Sequence, residues 1–509
     1  MPSDYDIAII GGGIVGNSIA RELSKYELSV ILVEKEIEVS FGVSKANSGI
    51  IHSAIHDDPK TLKGKLCLQG NKLWEGLSKE LRIPFNRVGE ILVARSDEDI
   101  PALKGFLDNA KAVGIPAEIV EGEALGRLEP NLSKNIKSGL LAPTAGVIPP
   151  YEMTYALYEN AMQNGVEYLL ESKVTNILKD NSSFVIQTAS NAVTLSETKG
   201  LTAYTPKQIL RFAQNDINPK AQGDREIRAN FVINAAGLYA DDIAKFVGAD
   251  NFKIKPRKGE EYILDKRFDN INNHIIFPTP SPNSKGVLVI KTIEGSTMIG
   301  PTAEDIEDKE DIRTSEEGLQ KILAFVKTMV PEIERKDIIA SFAGIRPVSD
   351  SNDFIVEESK KVPHFINAAG IQSPGLTAAP AIALMVVDIF KTSGLTLAKK
   401  KSFKKYDKPH RRLTLLPNKE KELAIKLDKC YGNIICRCET VSEGEVIAAI
   451  KNGAKTVDGI KFRTRAGMGR CQAGFCTHHV MKILARELNV PEETLTKRGG
   501  GSFIVKEKR

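Results

Sequence analysis

An apolar run that meets a cluster of glycines and then turns helical constrains this chain more than any other feature. The opening DYDIAIIGGGIVGNSIARELSK reads as a buried strand, a tight turn and an amphipathic helix, and LSVILVEKE follows as a second strand. That is a βαβ start, which calls for a parallel sheet flanked by helices. Gly11, Gly13 and Gly16 form G-x-G-x-x-G at the turn. Gly11 permits the tight turn, Gly13 lets backbone approach a pyrophosphate, and Gly16 allows close helix–strand packing. The helix N-terminus then offers N–H groups and a positive dipole to phosphate. Glu34 ends the second strand about 20 residues on, where a carboxylate accepts ribose hydroxyls. The pattern predicts a dinucleotide site.

At 509 residues the chain exceeds one compact domain, and two or three are expected. Strand, turn and helix recur at IRANFVINAAGLYADDIAKFVG and at HFINAAGIQSPGLTAAPAIALMVVDIF. Between them KGEEYILDK, HIIFPTP, GVLVIKT and STMIGPTAE read as successive strands of an antiparallel sheet. The fold class is α/β in the nucleotide-binding part and α+β over the whole chain. Residues 190–223 are polar and patternless; ILRFAQND inside them resembles translated dispersed bacterial repeat DNA, and we expect a dispensable surface insertion. The apolar run Ala378–Phe390 contains Pro380 and Asp388 and is shorter than the ~20 residues that span a bilayer. The start MPSDYDIAII has no basic segment followed by an apolar one, so no secretory signal is expected and the location reads as cytoplasmic.

Charge is unevenly distributed. Residues 401–509 carry 24 Lys/Arg against 12 Asp/Glu, whereas the first 400 carry 46 against 53. Lys399 to Arg412 holds eight basic residues and reads as an exposed linker. A basic tail predicts a docking surface for an acidic partner, or peripheral contact with the inner face of a membrane. No nucleic-acid-binding signature accompanies it, so nucleic acid is not expected as a partner.

Five of the six cysteines lie within Cys430 to Cys476, and only Cys67 stands outside. In a chain without an export signal such clustered thiols bind metal rather than pair. Cys436 and Cys438 stand as C-x-C, and Cys471 and Cys476 as C-x-x-x-x-C. Four thiolates suit either an iron–sulfur cluster or structural zinc, but zinc modules usually use C-x-x-C knuckles. The run IICRCETVSEGEVIAAIKNGAKTVDG...TRAGMGRCQAGFC resembles the bacterioferritin-associated-ferredoxin-like [2Fe–2S] domain. Arg437, Arg463, Arg465 and Arg470 are expected around the sulfurs. Cys430 falls outside the pattern and reads as free, and Cys67 as a buried thiol on a helix.

NSGIIHS, INAAGLYADDIA and INAAGIQSPGLTAAPA, with the glycine turn, resemble the FAD-dependent amine and hydroxy-acid oxidoreductases over about the first 395 residues. The resemblance implies two interleaved domains. An FAD-binding domain takes 1–85, 145–250 and 340–398, and a substrate domain takes 86–144 and 251–339. A basic linker at 399–429 and a mainly helical [2Fe–2S] domain at 430–509 complete the expected layout. It also implies that Asn47, Ser48, Val174, Ala236, Gly237 and Gly370 join the glycine turn in holding FAD. Gly375, Leu376 and Thr377 have a separate physical reading. They stand at a helix start, whose dipole stabilises the negative charge of reduced flavin.

Within that family LKGKLCLQGNK, PTAGVIPPYE, KPRKGEEYIL, IGPTAEDIEDKED and FAGIRPVSDSNDFI look most like the soluble type of glycerol-3-phosphate dehydrogenase or oxidase. By that resemblance His52 is the general base on the C2 hydroxyl. Arg346 and Ser373 bind the phosphorylated polyol, and Lys258 lines the same pocket. The chemistry wants these groups, since imidazole titrates near working pH and a phosphate dianion needs a cation. His56, four residues on, is a second imidazole that could stand in for His52, but Asp57 and Asp58 beside it predict an exposed turn. A cluster on the flavin chain predicts a dehydrogenase whose electrons leave to a partner flavoprotein or a quinone-linked subunit. Two other readings stay open: a dehydrogenase of L-2-hydroxyglutarate or another 2-hydroxy or amino acid, and a subunit whose flavin only relays electrons.

Overall fold

The computed structural model describes residues 4–180, 183–190, 225–280, 286–405 and 412–505. The opening strand Tyr5–Ile10 lies inside a sheet of eight described strands, parallel to Val30–Val33 on one side and to Arg225–Asn234 on the other. Glu167–Leu169 and Phe365–Ala369 extend the parallel set. The stretch VEYLLESKVTNILKD forms two strands, because Glu171 turns left-handed at φ 53° between Glu167–Leu169 and Ser172–Asp180. Ser183–Ser190 pairs antiparallel with Arg225–Asn234. The expected insertion therefore joins two paired strands, and its residues 191–223 lie outside those described.

Three helices cover one face of this sheet: Ile14–Leu23, Leu62–Leu81 and Gly375–Thr392. The last is long and apolar enough to cross a membrane, yet 61% of it is buried inside the protein, where it packs against the other two. Its start is tied down by Trp74, whose indole N–H donates to Thr377 O at 2.9 Å. A buried core helix needs the same apolar composition as a membrane span, so composition alone does not separate them.

The second sheet has nine described strands, mostly antiparallel. Its longest pair is Ile254–Leu264 with Ile338–Ser349, in register Arg257 opposite Arg346. This moves a boundary: the substrate domain was expected to end at 339, but the strand Ile338–Ser349 belongs wholly to its sheet. The apolar alternation of that segment reads as a strand in either sheet, and only the pairing decides.

Residues 434–505 form a small unit with its own core. A hairpin, Ile434–Cys436 with Val441–Ser442, leads into Glu443–Lys451, where Ser442 and Glu445 form a reciprocal capping box. Val457–Thr464 and Thr477–Leu488 follow. The described lysines of the basic stretch before this unit are mostly exposed, Lys399, Lys401, Lys404 and Lys405 among them, but its backbone is tied to the body. Lys400 N–H bonds Lys25 O at 2.8 Å, Lys404 N–H bonds Asn164 Oδ1 at 2.7 Å, and Arg412 is buried against Glu152. A basic run can be strapped down by its backbone and a few paired heads, which its charge pattern does not reveal.

Candidate active site

One cavity of about 1540 Å³ runs from the carboxyl end of the parallel strands to the floor of the second sheet. That exceeds the ~300–1,000 Å³ of a small-ligand pocket and leaves room for a large cofactor beside a small substrate. Gly11 and Gly13 line its rim, as does Glu34. Gly11 has φ +112°, and a side chain there would collide with Ala235 O. Gly16 does not line the cavity; a Cβ there would strike Gly11 O, so its role is the close helix–strand approach. The Glu34 carboxylate accepts the N–H of Gly12 at 2.6 Å and of Glu36 at 2.9 Å, and its pKa is raised, mainly by burial. Asn47, Ser48, Val174, Ala236 and Gly237 also line the cavity, whereas Gly370 stands behind it against Ser349.

His52 sits on the cavity wall at 7% exposure, its Nε2 3.4 Å from Ser373 Oγ. Its backbone is fixed at both ends: the N–H donates to Thr377 Oγ1 at 2.9 Å and the carbonyl accepts from Asn71 Nδ2 at 2.8 Å. The helix carrying Thr377 begins at Gly375, three residues earlier than its apolar run. Gly375 N–H is consumed by Gln372 O at 2.6 Å, so Leu376 and Thr377 supply the open N–H groups of the first turn. Gly375 and Leu376 line the cavity; Thr377 instead holds His52.

His56 is not on the exposed turn expected. Its side chain is 1% exposed, with Nε2 3.3 Å from Oε1 of Glu90, which is fully buried and accepts the Ser53 hydroxyl. Its ring packs 4.5 Å from that of Phe277. The backbone after His52 folds inward, so that His56 lines the cavity with its ring 6.2 Å from that of His52 while Asp58 stays exposed.

Arg346 lies on the cavity floor with its Nη2 donating to Thr302 O at 2.9 Å, and burial lowers its pKa. Strand alternation decides its company. Arg257, Gly259 and Glu261 share its face and line the cavity. Lys258 is on the opposite face, its Nζ 3.3 Å from Asp311, and does not line the cavity. The period-2 pattern of KPRKGEEYIL carried this information, and applied there it would have found Glu261. That carboxyl accepts the Ser48 hydroxyl at 2.5 Å, and burial pushes its pKa up to about 7 against the pull of Ser48 and Arg346.

In the C-terminal unit Cys436 and Cys476 are buried, Cys471 is half-buried and Cys438 exposed. Cys438 and Cys471 approach to 3.7 Å between sulfurs. A hydrogen bond from Cys476 brings the Cys436 thiol down to about 6 and raises Cys476 in turn. Cys67 is fully buried on Leu62–Leu81, and Cys430 lies half-buried on the short turn Lys429–Gly432.

The family model for FAD dependent oxidoreductases matches residues 6–389. The chain belongs to that family. A second model, for BFD-like [2Fe-2S] binding domains, matches residues 434–486 of the flavoenzyme. A glycerol 3-phosphate dehydrogenase of Caloramator mitchellensis is 42% identical over 504 residues, 98% of each chain. A glycerol 3-phosphate oxidase of Mycoplasma genitalium is 32% identical across 75% of this chain and 94% of its own. Among solved structures, the FAD-bound L-alpha-glycerophosphate oxidase of Mycoplasma pneumoniae superposes with a TM-score of 0.69 at 30% identity, covering 79% of this chain and 98% of that one.

The residues fit both cofactors of the flavoenzyme. The glycine turn, Glu34 and the free first-turn N–H groups make a cradle for FAD, and four thiols converging from two pairs match the ligand set of a [2Fe–2S] cluster. The arginines expected around the sulfurs are largely engaged by carboxylates. Arg463 pairs with Glu38, Arg465 with Glu439 and Glu294, and Arg470 with Asp265, so three of the four arginines fasten carboxylates, and each of the three reaches one on the body. Arg412, Arg463 and Arg465 take a share of the tail's positive charge inside the protein.

Proposed function

We propose that the flavoenzyme oxidises sn-glycerol 3-phosphate to dihydroxyacetone phosphate and sends the electrons through its [2Fe–2S] cluster to an acceptor other than dioxygen. The observation that carries this is a base and a buried cation facing one cavity: His52 on the wall beside Ser373, Arg346 on the floor. Bound FAD supplies the hydride acceptor. Arg346 holds the phosphate through paired hydrogen bonds, and Ser373 orients the polyol. His52 takes the C2 hydroxyl proton as the C2 hydrogen leaves with its electron pair, so the substrate loses one proton and one hydride. Leu376 and Thr377 N–H groups aim the positive end of an 18-residue helix at the site, which favours added negative charge there. The 42% relative that spans both parts supports the substrate, as does the oxidase likeness of the body.

The cluster end is built for electron exit. Cys438 and its sequence neighbour Arg437 are exposed, and Phe475, between Cys471 and Cys476, is 83% exposed. An apolar tip with a cation next to redox ligands suits a partner flavoprotein or quinone-linked subunit with an acidic rim. Anaerobic mixing with glycerol 3-phosphate tests the substrate: the flavin band at about 450 nm bleaches. Bleaching by L-2-hydroxyglutarate in its place would overturn the assignment.

A further inference from the structure

By sequence the turn Thr496–Phe503 belongs to the cluster-binding unit, yet it stands in the flavin cavity. Thr496 and Phe503 close it as an antiparallel bridge. Lys497 N–H bonds Ser502 O at 2.8 Å, Arg498 N–H bonds Ser502 Oγ at 2.9 Å, and that hydroxyl donates to Gly499 O at 2.6 Å. The turn is therefore built by its own hydrogen bonds. Arg498 and Gly499 to Ser502 line the cavity. A Cβ on Gly499 would lie 2.9 Å from Ile37 Cγ2, so the turn rests just past Glu34, at the end where a Rossmann-type site holds ribose. Around Gly500 and Gly501 nothing lies within 4 Å of a built Cβ, and their N–H groups have no hydrogen-bond partner among the described residues.

Charge points the same way. Lys45 lines the cavity next to Ser44, whose hydroxyl accepts Ile14 N–H at 2.8 Å beside the glycine turn. Burial lowers Lys45 to about 8; Asp458 and Glu36 oppose that, while Arg498 and Lys461 add to it. Two cations from different domains are thus held near each other at the rim of a site for a diphosphate, whose negative charge would favour both. The turn is anchored in turn to Val457–Thr464, through Asp458 N–H to Lys497 O at 2.8 Å, and that helix carries the Arg463–Glu38 pair.

We infer that Arg498 to Ser502 complete the FAD site from the iron–sulfur domain, covering the AMP half and adding Arg498 to the grip on its diphosphate. Docking of the small domain and retention of flavin are then one event. The test uses full-length holoenzyme and the variants R498A, R498E and R498K, with FAD release followed after dilution by recovery of flavin fluorescence. R498A speeds release by about tenfold, the effect of losing one charge-assisted hydrogen bond, R498E speeds it more, and R498K stays near the parent. Iron content and apoprotein melting temperature serve as controls for folding. Unchanged release in both R498A and R498E would overturn the inference. If R498E fails to fold, the parent protein decides: FAD shields the Lys497 and Arg498 bonds from trypsin, and equal cleavage with and without FAD refutes the cover.

Discussion

Arg463 and Glu38 form an ion pair at 2.6 Å with both side chains 1% exposed, although 425 residues separate them. The guanidinium also stacks 4.0 Å from the ring of Tyr155. Burying two charges is worthwhile only when each satisfies the other, so this pair commits the small domain to one seat on the body.

Removing one partner leaves a buried charge alone. Glu38→Gln and Arg463→Met should each lower stability by about 3–5 kcal/mol, whereas the double replacement recovers much of that loss. Thermal melts followed by flavin and by cluster absorbance check it. Single variants that melt like the parent would show that the seat is held elsewhere.

His52→Ala should slow anaerobic flavin reduction by roughly 10²–10⁴-fold while FAD stays bound, because the loop backbone around His52 is fixed by Thr377 and Asn71 rather than by the imidazole. Stopped-flow reduction with glycerol 3-phosphate measures this. A variant that loses its flavin would mean that the ring serves structure instead.

Glu261 makes stability and substrate binding depend on pH. Its folded pKa of about 7 stands above the ordinary 4.5, so the folded protein holds a proton that the unfolded chain has released. Stability therefore falls as pH rises from about 4.5 through 7, by about 3 kcal/mol for a shift of this size. Ionised Glu261 also competes with an anionic substrate for Arg346. Glu261→Gln should raise the melting temperature at pH 8 and leave it unchanged at pH 4.5, and should flatten the rise of KM above pH 7. A parallel pH profile in both proteins would contradict it.

Arg346→Lys keeps the charge but loses the paired geometry, and should raise KM for glycerol 3-phosphate by about tenfold or more, with a smaller change in kcat. Lys258→Ala should leave KM close to the parent, since its ammonium faces Asp311 and not the cavity. Steady-state kinetics on the two variants separate these roles.

Cys471→Ser and Cys438→Ser should each abolish the brown chromophore and lower iron content, while the flavin remains reducible by substrate. Cys430→Ser should keep both chromophores, its sulfur lying outside the four. Absorbance spectra with metal analysis decide, and a zinc-loaded parent without the brown chromophore would refute the cluster.

What the sequence alone determined is whatever depends on local spacing. The glycine turn, Glu34 at the end of the second strand, the four cysteines and the βαβ start are short-range patterns whose chemistry follows from residue type and separation. Strand alternation was equally legible, and it places Glu261 with Arg346 and removes Lys258. Other matters were settled only by the tertiary structure, because they depend on contacts between segments hundreds of residues apart. These include the side of the sheet boundary on which Ile338–Ser349 falls, the burial of His56 against Glu90, and the strapping of the basic stretch by Asn164 and Glu152. The same holds for the arginines of the tail, whose charge is readable but whose partners are not. Pairing energy is set by burial and geometry at the contact, and a linear order of residues carries neither.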